Sequence, residues 1–114
     1  MVYYTYFYTY NKNRVIGKVL KKTPSFEWDE DKNRINQEKH HISFEEAQFA
    51  FLDTRRGIAK DLEHSKAEER YYCFGKFGKE IITVRFTFRN KTIRIIGAGY
   101  WRKGKKVYEK ENKI

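Results

Sequence analysis

The sequence predicts an α+β domain: a mostly antiparallel sheet of about four strands, with two helices on one face and a further helix at the C-terminus. Three observations lead there. Two helix-start signals, Asp29 and the Ser43/Glu46 pair, stand ahead of a strand-rich half. Three β-branched and aromatic runs, 70–74, 81–89 and 92–98, are separated by a glycine-bearing stretch, 75–80, and by Asn90-Lys91. Inside the last two runs, apolar residues alternate with arginine and threonine, the period of a sheet with one buried face.

The elements follow in chain order. Residues 2–10 have the composition of a strand but are apolar or aromatic at nearly every position, without clean alternation. They read as an added edge strand, a partner-facing arm, or translated sequence upstream of the usual start. Residues 11–13 read as a turn and Thr23-Pro24-Ser25 as a break, so 1–24 is taken as a basic, aromatic arm and 25–114 as the domain. Residues 26–28 form a short strand, and Asp29 caps a polar helix to about Lys39 in which Ile35 is one of few apolar residues.

Ser43 and Glu46 form a capping box, and Phe44, Ala47 and Phe51 then share one face of a second helix. Residues 57–62 read as a strand leading into a polar loop, 63–67. If Asn90-Lys91 is a two-residue hairpin loop, Arg89 pairs with Thr92, Phe88 with Ile93, Thr87 with Arg94 and Arg85 with Ile96. Ile82, Val84, Phe86, Phe88, Ile93 and Ile95 then line one face, and Arg85, Thr87, Arg89 and Arg94 the other, left open. Residues 103–109 close the chain as a helix.

Length and charge bound the function. With 114 residues there is room for one core and no more. The lone Cys73 pairs with nothing in the chain, no Cys/His cluster has metal-ligand spacing, and neither a cofactor nor a metal is assigned. The absence of a signal-peptide pattern or an apolar span points to the cytoplasm, with no membrane association.

Of 25 bases and 15 acids, residues 25–101 hold fourteen and thirteen, so the net charge of +10 belongs almost entirely to the two ends. Residues 1–24 contribute Lys12, Arg14, Lys18, Lys21 and Lys22 with no acid. Residues 102–114 contribute Arg102, Lys103, Lys105, Lys106, Lys110 and Lys113 against Glu109 and Glu111. Such a field draws polyanions, although terminal lysines also serve solubility.

RNA cleavage without a metal needs a base for the 2′-hydroxyl, an acid for the leaving oxygen and cations on the phosphoryl oxygens. His64 in the polar loop is suited to proton transfer, and Glu69 is a second candidate. Arg85 and Arg94 share the open face, and Arg70 joins them if its register allows. Trp101 beside Arg102 and Lys105 offers a stacking platform with cations, or else pins the last helix.

The segments FEWDEDKNRINQEKHHISFEEAQ (26–48), EHSKAEERYYCFGK (63–76) and TIRIIGAGYWRKGKKVYE (92–109) carry, in that order, a pattern that resembles the BrnT family. The resemblance implies a RelE-like fold, an endoribonuclease toxin that inhibits translation, and neutralisation by a BrnA-like ribbon-helix-helix antitoxin, the complex binding its own promoter DNA. It matches Lys39 and His40 to a Lys-His pair, and so makes them substrate contacts. Many members continue the last strand with Ser-Ala-Arg where this chain has Gly97-Ala98-Gly99, so phosphate contact falls to Arg94, Arg85 or Arg102. The alternative reading is a catalytically weak or inactive nucleic-acid and antitoxin-binding module acting in promoter autoregulation.

Overall fold

The computed structural model describes residues 25–114 and the backbone of residues 5–7, 9 and 10. Strands β1 (Thr5–Phe7) and β2 (Thr9–Tyr10) pair antiparallel with each other. The expected turn at 11–13 and the break at Thr23-Pro24 lie outside the described residues.

Among the described residues the domain holds β3 (Phe26–Glu27), α1 (Glu30–His40), α2 (Phe44–Ala47), a 3₁₀ turn (Gln48–Leu52), β4 (Gly57–Lys60), β5 (Tyr71–Phe77), β6 (Glu80–Arg89), β7 (Thr92–Gly99) and α3 (Arg102–Glu111). The sheet has five strands in the order β3-β7-β6-β5-β4. β3 runs parallel to β7 and the other pairs are antiparallel, so the sheet is mixed, with one strand more than expected. No helix of the described residues is long and apolar enough to cross a membrane.

The β6–β7 hairpin turns at Asn90-Lys91, whose φ values of 51° and 67° are the paired left-handed conformations of a type I′ loop. Three expected pairs follow from it: Arg89 with Thr92, Phe88 with Ile93 and Thr87 with Arg94. The fourth does not. A β-bulge between Arg85 and Phe86 inserts one extra β7 residue, so Arg85 faces Gly97 rather than Ile96.

Val84, Phe86, Ile93, Ile95 and Ala98 on one face pack with Phe44, Ala47, Ala50 and Phe51. Burying a phenylalanine such as Phe44 or Phe86 stabilises the fold by about 1.5–3 kcal/mol. The Ser43/Glu46 capping box forms, with Glu46 N donating to Ser43 Oγ at 3.0 Å and Ser43 N to Glu46 Oε1 at 2.9 Å. The second helix is shorter than expected and tightens into the 3₁₀ turn after Ala47, yet Phe44, Ala47 and Phe51 are all buried.

Helix α1 starts where Asp29 Oδ1 accepts from Asp31 N (2.8 Å) and Lys32 N (3.2 Å), and ends at His41 in the left-handed region, φ 60°. Its buried residues are Asn33 and Asn36, while Ile35 is exposed. Past the end of β3, the Asn36 amide donates to Ala98 O (3.0 Å) and accepts from Ala98 N (3.2 Å), standing in for a neighbouring strand. A buried edge left without those bonds would cost about 1–3 kcal/mol per group.

Helix α3 docks on the opposite, arginine-bearing face, which is therefore only partly open. Tyr108 and Val107 pack on Ala59, Phe74 and Ile81, and Gly104 lies so close to the sheet that a Cβ there would collide with Thr83 Oγ1 and touch the Phe74 ring at 3.0 Å. Farther along this face Thr87 is buried, while the Arg85 and Arg94 side chains keep about a third and a quarter of their surface exposed.

Candidate active site

Strand register lays out this face as three rows. One row runs Arg70, Thr87, Arg94, Glu27, taking Arg70 as one residue beyond the Tyr71–Phe86 pair. The next runs Ala59, Tyr72, Arg85, Gly97, and the third, under α3, runs Gly57, Phe74, Thr83, Gly99.

The middle row borders the loop after β4. That strand ends at Lys60, two residues earlier than expected, which frees Asp61 to turn under the loop. Asp61 Oδ2 lies 2.9 Å from His64 Nδ1 and 4.0 Å from Arg85 Nε, and Asp61 Oδ1 accepts from His64 N at 3.3 Å. The Asp61 side chain is 3% exposed and that of His64 48%.

Burial pushes the Asp61 carboxyl up, but the His64 hydrogen bond and charge, the His64 amide and the Tyr72 hydroxyl together hold it below its ordinary value. An ionised carboxylate only accepts hydrogen bonds, so Nδ1 of His64 carries the hydrogen and the lone pair of the neutral ring sits on Nε2. Burial and the Asp61 charge raise the Tyr72 hydroxyl, keeping it a donor.

Ser65 fixes this loop: its Oγ donates to Asp61 O (2.6 Å) and accepts from Arg70 N (3.0 Å), while Asp61 N donates to Arg70 O (2.8 Å). The sequence reading missed Asp61, although an Asp three residues before a loop histidine was a visible signal.

Arg70 and Arg94 belong to the neighbouring row and are held by other carboxylates. Arg94 Nη1 lies 3.1 Å from Glu27 Oε2, and Arg70 Nη2 lies 3.6 Å from Glu68 Oε2, which also pairs with Arg89. The Nε–H groups of Arg70 and Arg85 are buried and have no hydrogen-bond partner among the described residues. Glu69 is not brought together with His64. Its carboxylate takes the Tyr71 hydroxyl (2.8 Å) and Lys60 Nζ (3.3 Å), contacts that lower its pKa, and Tyr71 stacks on Phe86 of the helix-covered face.

A second group gathers where α1 ends and α3 begins. His40 meets the Trp101 ring edge-on with centroids 5.0 Å apart, and Trp101 lies over Gly99, where a Cβ would fall 2.7–2.8 Å from the indole. Lys39, Arg102 and Lys105 are exposed at these helix ends. Bases in the first turn of α3 oppose the helix dipole, an arrangement an anion would relieve. Gly97, opposite Arg85, is buried, and a hypothetical Cβ there would meet only Asn36 Oδ1, at 3.9 Å.

A histidine oriented by a buried carboxylate, with an arginine beside it and further arginines one row away, can move a proton and neutralise a phosphoryl group. Comparison with curated proteins returns no match. The family model described as the ribonuclease toxin, BrnT, of type II toxin-antitoxin systems matches residues 28–104, spanning α1, the Asp61–His64 loop, all the arginines of the open face and the start of α3. The chain belongs to the BrnT family of type II toxin-antitoxin ribonuclease toxins.

Proposed function

We propose that this chain is a metal-independent endoribonuclease in which His64 takes the proton of an RNA 2′-hydroxyl. What supports the reading most is the 2.9 Å contact between His64 and an Asp61 carboxylate that is 3% exposed. The 2′-oxygen attacks phosphorus, the bond to the 5′-oxygen breaks, and that oxygen takes a proton from solvent at the open face. The product ends are a 2′,3′-cyclic phosphate and a 5′-hydroxyl. Arg85 neutralises the phosphoryl charge as it builds, the place a metal ion would otherwise fill. Arg70 and Arg94 extend the cationic surface, and Trp101 with Lys39, His40, Arg102 and Lys105 contacts the flanking nucleotides. Glu69, bonded to Tyr71 and Lys60, has no part in proton transfer.

Membership of a type II toxin-antitoxin family implies an antitoxin partner. In this reading the partner is a BrnA-like ribbon-helix-helix protein, the fold is RelE-like, RNA cleavage stops translation in the cytoplasm, and promoter DNA is reached through the antitoxin. Residues 1–24 act as an arm adding partner or nucleic-acid surface to the 25–114 domain.

The second reading, a weak or inactive binding module, draws support from Arg94 and Arg70 already being paired with Glu27 and Glu68. Purified wild type and His64→Ala, assayed on RNA with chelator present, separate the two. Cyclic-phosphate ends from wild type alone support the enzyme; uncut RNA with a folded wild type supports the module.

A further inference from the structure

The arginines of the open face do not gather on one point. Arg85 is drawn toward Asp61 on the β4 side (4.0 Å), Arg70 toward Glu68 (3.6 Å) and Arg94 toward Glu27 on the β3 side (3.1 Å). Three separate carboxylates hold three guanidinium groups apart. They sit on adjacent strands, Arg70 just before β5, Arg85 in β6 and Arg94 in β7, so a chain crossing the sheet meets them in that order. Arg85 is set back one row, about 6.7 Å along its strand, and neighbouring strands are about 4.8 Å apart, which puts each outer arginine about 8 Å from Arg85 at the backbone. Thr87 cannot bridge the gap, because its hydroxyl donates to Glu69 O at 2.6 Å.

Resting on the ribonuclease reading, we propose that Arg70 and Arg94 form two subsites for the phosphodiesters on either side of the scissile one, which Arg85 and His64 alone contact. The ligand is single-stranded RNA with at least three consecutive phosphodiesters, laid across β5, β6 and β7. Each outer arginine exchanges its glutamate for a phosphate on binding. The Arg70–Glu68 contact is long, 3.6 Å, and both side chains are about a third exposed, so a phosphate can take the place of the glutamate at Nη2.

The test compares two probes, a dinucleoside monophosphate with one phosphodiester and a tetranucleotide with three. Arg70→Gln and Arg94→Gln should each lower kcat/KM on the tetranucleotide about tenfold, the worth of one charge-assisted contact, and leave the dinucleoside within about threefold. Arg85→Gln should lower both. Equal losses on the two probes for Arg70→Gln or Arg94→Gln would overturn the proposal, because the arginines would then share the scissile phosphate; so would no loss on either.

Binding keeps the subsites separate from catalysis. On a 2′-O-methyl tetranucleotide titrated across a salt series, each variant should flatten the log–log slope by about 0.7, one released counterion. A flattened slope in a protein that cuts no RNA would sustain the subsites while the ribonuclease reading fails. An unchanged slope, or no binding by wild type, would overturn them. Thermal melts matching wild type establish that the variants are folded.

Discussion

His64 Nδ1 and Asp61 Oδ2 stand 2.9 Å apart across a single turn of loop, with the carboxylate 3% exposed and the imidazole 48% exposed. A buried anion thus fixes the ring that solvent and substrate can reach. The proposed chemistry depends on this asymmetry, because it settles which nitrogen carries the hydrogen.

Asp61→Asn keeps the shape of the side chain and removes its charge. The ring then loses the partner that selects its tautomer, and proton transfer by a positioned group is worth about 10²–10⁴-fold in rate. RNA cleavage kinetics should show kcat falling at least about tenfold with KM little changed. A compensating rise in KM with kcat intact would instead assign Asp61 to binding.

Acid should loosen the domain through the same residue. Asp61 and Glu69 both titrate below their ordinary values of 3.8 and 4.5. The unfolded chain therefore takes up protons first as pH falls. Their contribution is complete above those values and lost as pH drops through the lower folded ones. Urea midpoints should fall on going from about pH 5 to about pH 3, and Asp61→Asn should show a shallower fall than wild type.

Asn36 replaces a strand at the β7 edge, giving bonds to Ala98 N and O and to Ile42 O. Truncation to Ala strands buried backbone groups and should cost about 2–4 kcal/mol in urea unfolding, more than the Ser43→Ala loss of a helix cap, about 1 kcal/mol. Comparable losses would mean that water enters and satisfies Ala98.

Gly104→Ala tests how α3 is seated. Its methyl collides with Thr83 Oγ1, and in a packed contact overfilling costs about 1–3 kcal/mol. Thermal unfolding should report a lower midpoint. An unchanged midpoint would show that α3 lifts from the sheet at no cost.

Much of the fold was legible because it rests on local chemistry. Asn90-Lys91 between alternating strands fixed the β6–β7 register near the turn, and Asp29, Ser43 and Glu46 marked two helix starts through hydrogen bonds within three residues. Features set by long-range contact were not legible. The bulge opposite Phe86 leaves no local mark, and nothing near Asn33 and Asn36 says that a polar helix buries asparagines against a strand edge 62 residues on. For the site, alternation placed Arg85 and Arg94 on one face. Asp61 was lost by reading it into a strand, and the splaying of the arginines depends on Glu27, which is 67 residues from Arg94 in sequence.

The most direct measurement is cleavage of a defined single-stranded RNA, with chelator present and the product ends identified, by wild type and by His64→Ala with matched thermal melts. The expected result is cutting by wild type to 2′,3′-cyclic phosphate ends and a loss of at least about 10²-fold in His64→Ala, the scale of a positioned proton-transfer group. Equal cutting by both proteins would contradict the role given to His64, and uncut RNA from folded wild type would contradict the ribonuclease reading itself.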